Sequence, residues 1–202
     1  MTQPDWPARL VKVIAGEVKR HRQARSMSAQ QLADACAELG HPIARSVLAN
    51  LENGRRPTIS VPELLVLALA LQVPPMLLIV PLGHAESVEV APGVAVPATE
   101  AMRWIRGEAW VLKPPPEGAD GSAVVASFVT HHSELSRWEW ARYYASRIRS
   151  GEIEGTEQEA ERHDADAERS LAHLENLRQL MRARGLTPPP APEQLRLRES
   201  QP

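Results

Sequence analysis

SAQQLADACAELGHPIARSVLANLENGRRP, Ser28 to Pro57, reads as two short helices joined by a tight turn and followed by a basic loop. Ser28 is placed to cap the first helix, and Gln31 stands three residues on, so the two form a capping box. Leu32, Ala33 and Cys36 recur at helical spacing, and Leu39 closes the pattern. Gly40 then suits a left-handed helix end. Pro42 fits the first turn of a second helix, where its missing N–H costs nothing. That helix, about 42–53, offers Ile43, Val47, Leu48 and Leu51 to a core. Arg45, Ser46, Ala49 and Asn50 are left on other faces, and Gly54, Arg55 and Arg56 follow its end.

The flanks continue the helical reading. Asp5 is placed to cap a helix with Pro7 in its first turn, and Leu10, Ile14 and Val18 make one apolar stripe. After the basic loop, Ser60 and Glu63 form a second capping box, with Pro62 in the first turn. Leu64, Leu65, Leu67, Ala68 and Leu71 are too apolar for a helix with a wet face, so burial on two sides is expected. Val73-Pro74-Pro75 ends that helix, and Met76 to Val80 makes a short fifth.

Leu51-Glu52-Asn53-Gly54-Arg55-Arg56-Pro57, together with Gln31-Leu32-Ala33, resembles the helix-turn-helix of the phage repressor and Cro (XRE) family of DNA-binding regulators. The resemblance covers residues 1–82. It implies a compact five-helix DNA-binding domain whose second motif helix lies in the major groove. The first motif helix, or the turn after it, is about three residues longer than the family pattern, over Cys36 to Gly40. On the resemblance, Arg22 stands where related repressors carry an arginine beside the DNA backbone, so an Arg22–Glu52 ion pair is expected. If exposed, it contributes ~0–1 kcal/mol.

Elementary chemistry then assigns roles. Arg45 can donate two hydrogen bonds to guanine, Asn50 can bridge adenine, Ser46 suits either base, and Ala49 suits a thymine methyl. Arg55 and Arg56 should meet phosphates, which position a protein without reading sequence. Gln30, at the positive N-terminus of the first motif helix, is a further phosphate candidate; the resemblance adds Arg22 and Asn53, whose family positions lie near the DNA backbone, with Asn53 read first as a helix-ending residue. One such motif makes few contacts. A homodimer on two half-sites ~34 Å apart is therefore implied.

Beyond residue 82 the chain changes character. Residues 83–112 read as a β-hairpin, Ser87–Val90 and Val94–Val96 around Ala91-Pro92-Gly93, followed by a short helix that Thr99 caps and Gly107 ends. This segment is similar to an extension found in actinomycete members of the same family. Trp104 and Trp110 are read as covering the hairpin. Residues 113–122 are a proline- and glycine-rich linker. Residues 123–186 hold two longer helices. The second carries Leu171, Leu174, Leu177, Leu180 and Met181 at coiled-coil spacing, open to pairing within the chain or to dimerisation. Residues 187–202 read as a loosely held proline-rich tail. The fold class expected is therefore mainly α: the five-helix domain, a small hairpin extension and a C-terminal helix pair.

Composition bounds the rest. Of 202 residues, 23 are Lys or Arg and 25 Asp or Glu, for a net charge of −2. Residues 1–82 hold nine basic against six acidic side chains, net +3, and the remainder fourteen against nineteen, net −5. A mildly basic head on an acidic body fits a chain that touches phosphate with one end. The single cysteine, Cys36, excludes an internal disulfide and a cysteine zinc site, and reads as a buried thiol. His131 and His132 are adjacent, so they point about 100° apart on a helix and chelate poorly. No phosphate loop, HExxH or nucleophile motif is present; His131, His132, Glu134 and Glu139 could be arranged as acid and base, but helices full of charge produce such sets by chance. No enzyme activity, metal or cofactor is expected. MTQPDWPARL holds no apolar signal core, and a cytoplasmic location is the expectation. The functional reading is a sequence-specific transcriptional regulator. The alternative is an antitoxin-like or scaffold module that uses the same fold to bind protein through its C-terminal helices.

Overall fold

The computed structural model of the chain describes residues 5–111 and 121–199. Among these residues are nine helices and one two-stranded antiparallel sheet, in two compact units, Met1–Pro115 and Pro116–Pro202. The linker reading for 113–122 lies outside the described residues except at Gly121 and Ser122. None of the described helices is long and apolar enough to cross a membrane.

In the first unit, α1 spans Trp6–Ala24, and the Asp5 side chain caps it by accepting from the Ala8 N–H at 3.3 Å. Val11, Ile14, Ala15 and Val18 face inward. α2 spans Ala29–Glu38 and begins with the expected box: the Gln31 N–H donates to Ser28 Oγ at 3.1 Å, and the Ser28 N–H donates to Gln31 Oε1 at 2.8 Å. Gly40, at φ +81°, takes the left-handed conformation that ends the segment. Leu39 departs from expectation. It is the C-terminal cap, outside the helical repeat, and is 49% exposed.

α3 spans Arg45–Glu52, α4 Val61–Ala70 and α5 Met76–Ile79. Ser60 and Glu63 cap α4 reciprocally. The core is built from Val18, Leu32, Cys36, Leu48, Leu51, Leu67, Leu71 and Leu78. Burial pushes the Cys36 thiol pKa up, so this cysteine is a small apolar core residue. The expected two-sided burial of α4 is not what is found. Leu67, Ala68 and Leu71 are buried, whereas Val61, Leu65 and Leu69, four apart on the opposite side, are 69, 45 and 64% exposed. A strongly apolar sequence does not by itself supply a second neighbour.

The hairpin pairs β1, Ser87–Ala91, with β2, Val94–Pro97, with an irregularity between Glu89 and Ala91. α6, Ala98–Ile105, covers it with Ala98 and Ala101, which pack in one cluster with Val80 and Val88. Thr99 does not cap α6: the cap position is Pro97 and carries no side-chain bond, because the helix begins directly at the strand end. Trp104 is 40% exposed and Trp110 half-buried, since the two small alanines already fill the contact with the hairpin. The hairpin is latched to α1 instead. Arg9 Nε and Nη2 each donate to a Glu89 carboxylate oxygen at 2.8 Å, and the Trp6 indole N–H donates to the Glu89 carbonyl at 3.0 Å.

In the second unit, α7 spans Gly121–Arg149 and α8 Glu157–Ala183, the latter started by a third capping box, Thr156 with Glu159. His131 meets Arg178, Glu134 meets His173, Tyr144 meets His163 and Arg149 meets Glu157, so one residue number climbs as the other falls. The two helices therefore form an antiparallel hairpin. Leu171, Leu174 and Met181 are buried in its seam, while Leu180 is 55% exposed. The apolar seam of α8 is thus occupied within the chain. His131 is buried with its Nε2 3.1 Å from Arg178 Nη1, while His132 is exposed.

The tail also departs from expectation. α9, Glu193–Glu199, folds back, and Leu195 is fully buried in a cluster with Leu171 and Leu174, against which Leu135, Trp138 and Ala191 pack. Arg178 Nη1 also donates to the Pro189 carbonyl, tying the proline run to the hairpin. Prolines need no N–H partner, so the run can lie along the helices without disturbing their bonds.

Core and surface leucines of α4 should respond differently. Leu67→Ala is expected to cost about 2–5 kcal/mol in urea unfolding, as a cavity-forming change. Leu69→Ala is expected to stay within about 0.5 kcal/mol.

Candidate nucleic-acid interface

The candidate interface centres on α3. Sequence reading placed its start near Pro42, but Pro42 and Ile43 precede it. Pro42 biases His41 toward extended backbone. Ala44 is the N-cap residue at φ −61°, ψ 142°, with no side-chain cap bond. Ile43 is only 5% exposed and stands at the position that staples a helix start by packing on the apolar residue five further on, here the fully buried Leu48. The core therefore draws Ile43 in ahead of the helix and delays the first helical residue to Arg45.

That delay puts Arg45 and Ser46 at the leading end of α3. Leu48 and Leu51 face the core, so the opposite face carries exposed Arg45, Ser46 and Asn50, with Ala49 half-buried beside them. The four residues expected to read bases thus share the outward side of one two-turn helix. The far end is closed by Asn53 as C-cap and by Gly54 at φ +68°. The Arg55 and Arg56 N–H groups both donate to the Asn50 carbonyl, at 2.9 and 3.2 Å. This wraps the basic loop against the end of the helix. Asn50, Arg55 and Arg56 line one depression of about 370 Å³.

The phosphate candidates divide into exposed and paired groups. Arg55 and Asn53 are exposed. Gln30 is exposed too, and its amide donates to Asp34 Oδ1 at 2.8 Å. Arg22 is mostly buried. Its Nε and Nη2 each donate to Glu52 at 2.7 Å, and its Nη1 donates to the Met27 carbonyl at 2.6 Å. The expected Arg22–Glu52 pair is present, with side-chain exposures of 13 and 7%. The Glu52 hydrogen bonds, working against burial, raise the Arg22 pKa. Arg22 consequently fixes α1, the α1–α2 turn and the end of α3 to one another.

Arg56 is likewise engaged. It holds Glu63 through two contacts at 2.8 and 3.0 Å, and Glu63 also accepts from the Ser60 N–H at 2.8 Å. Burial pushes the Glu63 carboxyl up, but hydrogen bonds from Arg56 and Ser60 outweigh it and hold the carboxyl below its ordinary value. Sequence reading assigned Glu63 to the capping box and missed its second partner, because pairing across a loop leaves no spacing signal. It also missed Lys12. This residue lines, with Asn53, Gly54 and Arg56, a second depression of about 400 Å³ between α1 and the basic loop. No family model, curated protein or solved structure matches the chain.

Two outcomes follow from these pairs. Glu52→Ala should lower stability by about 2–4 kcal/mol in chemical unfolding, because it strands a mostly buried guanidinium. Glu63 has a depressed folded pKa. Its stabilising effect is therefore complete above its ordinary value of 4.5 and lost as pH falls through the lower folded value. Arg56→Ala should raise the Glu63 midpoint in a carboxyl-carbon NMR titration.

Proposed function

We propose that the chain is a sequence-specific DNA-binding transcriptional regulator of the repressor/Cro (XRE) type. The five helices of the first unit would form its DNA-binding domain, with α3 as the recognition helix. The observation that carries this reading is the outward face of α3. A two-turn helix is anchored from below by Leu48 and Leu51, and it presents an arginine, a serine and an asparagine together at the surface. Those side chains have the donor and acceptor patterns that distinguish base edges in the major groove. A basic loop lies directly at the helix end, where phosphate contacts would set the register.

Roles follow from placement. Arg45 is the first residue of α3, and the N-terminal part of a recognition helix is the part that reaches base edges. Asn50 lies beside Arg55, so one contact reads a base while its neighbour holds the backbone. Arg55, Gln30 and Asn53 are the exposed phosphate contacts. Arg22 and Arg56 act mainly by holding α3 and its loop in position. Two chains acting together would read a pseudo-palindromic operator, in keeping with a cytoplasmic regulator that needs no cofactor.

The test is selection of bound sequences from a random duplex library at physiological salt. An enriched inverted repeat supports the reading, and no enrichment overturns it. Arg45→Ala should then relax preference at one base position of each half-site by ~1–3 kcal/mol, leaving the salt dependence unchanged. Arg55→Ala should weaken all sequences about equally and reduce the salt slope by ~1.

A further inference from the structure

Two depressions flank the basic loop, and Arg56 and Pro57 border both. The first holds Asn50 and Arg55 and lies at the end of α3. The second, of about 400 Å³, opens between α1 and the loop, and its exposed polar side chains are Lys12 and Asn53. Its floor is apolar: Val11, Ala15 and Leu51 are 9, 3 and 1% exposed. The space exists because the residues around it are small. Ala8 and Ala15, seven apart on α1, line one wall, and Gly54 stands in the other. A side chain added at Gly54 would meet no atom within 4 Å. The charge in this notch is unevenly held. Arg56 already gives two nitrogens to Glu63. Among the described residues Lys12 has no ion-pair partner. A lysine ammonium is a compact point charge on a flexible stem, suited to a phosphate. Beside an apolar floor its attraction for an anion is stronger than in open water.

We infer that the notch between α1 and the basic loop seats a backbone phosphate of duplex DNA, with the Lys12 ammonium as its counter-charge and the Asn53 amide as a hydrogen-bond donor. α1 thereby supplies a backbone contact from outside the two motif helices. Position selects this ligand. Asn53 and Gly54 follow α3 directly, and Arg55 is the next residue. A strand lying along the loop therefore passes one depression and then the other, so Lys12 and Arg55 hold different phosphates of the same strand. Charge selects it as well. Among the described residues the notch has one unpaired cation, and a phosphodiester brings one negative charge per phosphate. An acidic peptide would bring several carboxylates to a single ammonium. A contact of this kind fixes register and orientation without reading bases. It acts from the far side of the loop to Asn50, so the loop is held to the backbone on both of its flanks.

The inference rests on the DNA reading above and adds a contact to it. It is tested on the full chain by fluorescence anisotropy of labelled duplexes over a range of salt. Lys12→Ala should weaken selected and random duplexes alike, by about fivefold at ~0.15 M salt, and reduce the salt slope by ~1. Lys12→Arg should keep the parent slope, because the charge is kept. Arg103→Ala removes an exposed cation of α6 that borders neither depression, and it should change nothing. Lys12 is exposed on a helix, so every variant should keep the parent's urea midpoint. On the selected operator, ethylation of one phosphate in each half-site should impair the parent chain and leave Lys12→Ala unaffected. That phosphate should differ from the one whose ethylation ceases to matter in Arg55→Ala, and should lie on the same strand. An unchanged slope for Lys12→Ala, beside a reduced one for Arg55→Ala, overturns the seat and leaves the DNA reading standing. A loss that Arg103→Ala shares also overturns it, since any surface cation would then serve. A reduced slope for Lys12→Ala on random duplex, with no operator enriched, keeps the seat and removes the sequence-specific reading. A parent chain that binds no duplex at ~50 mM salt, where phosphate contacts are strongest, overturns both.

Discussion

The guanidinium of Arg22, gripping Glu52 with two nitrogens and the Met27 carbonyl with a third, is the contact on which the geometry of the first unit turns. α3 has eight residues, too few to hold a helix in water by itself. Leu48 and Leu51 fix its depth, but two leucines on a short cylinder leave rotation about its axis weakly specified. A planar fork on a carboxylate fixes both distance and plane. It acts at the end of α3, next to the loop that carries Arg55 and Arg56. Because the pair is mostly shielded from solvent, salt screens it far less than a surface pair. The direction in which Arg45, Ser46 and Asn50 project therefore depends on a residue of α1 that touches none of them.

A second carboxylate works in the same manner one loop further on. Glu63 closes the start of α4 by accepting from Ser60, and the same group accepts from Arg56. The basic loop is thus held at both ends, by Gly54 and the Asn50 carbonyl on one side and by Glu63 on the other. Glu89 repeats the pattern at the hairpin, where it takes two bonds from Arg9 and one from the Gly93 N–H. In each case one carboxylate joins a local turn to a distant element, so local caps and tertiary contacts are the same atoms.

In the second unit the polar groups lie in the seam itself. His131, Glu134, Ser170 and Arg178 are each no more than 6% exposed between α7 and the elements packed on it. Among the described residues no buried side-chain polar atom lacks a partner, which is the condition under which such groups are tolerated. Arg178 reaches both His131 and the Pro189 carbonyl, so it sets where the returning segment lies. With α8 and α9 on one side, α7 is left with its aromatic side outward.

Much of this was legible in the residues themselves. The capping boxes at Ser28 and Ser60, the left-handed Gly40 and Gly54, the Pro92-Gly93 hairpin and the two long helices all rest on interactions within about four residues. Their chemistry is written in adjacent letters. The outward set Arg45, Ser46 and Asn50 was legible for the same reason, since helical periodicity separates them from Leu48 and Leu51. What the tertiary structure decided depends on residues far apart in the chain. The start of α3 moved to Arg45 because the core took up Ile43. Arg22 and Arg56 became positioning groups because carboxylates 30 and 7 residues away reached them. The tail folded back because Leu195 found Leu171 and Leu174. The outer faces of α4 and α7 stayed exposed because a helix's own sequence records how apolar a face is, and only its neighbours determine whether that face is covered.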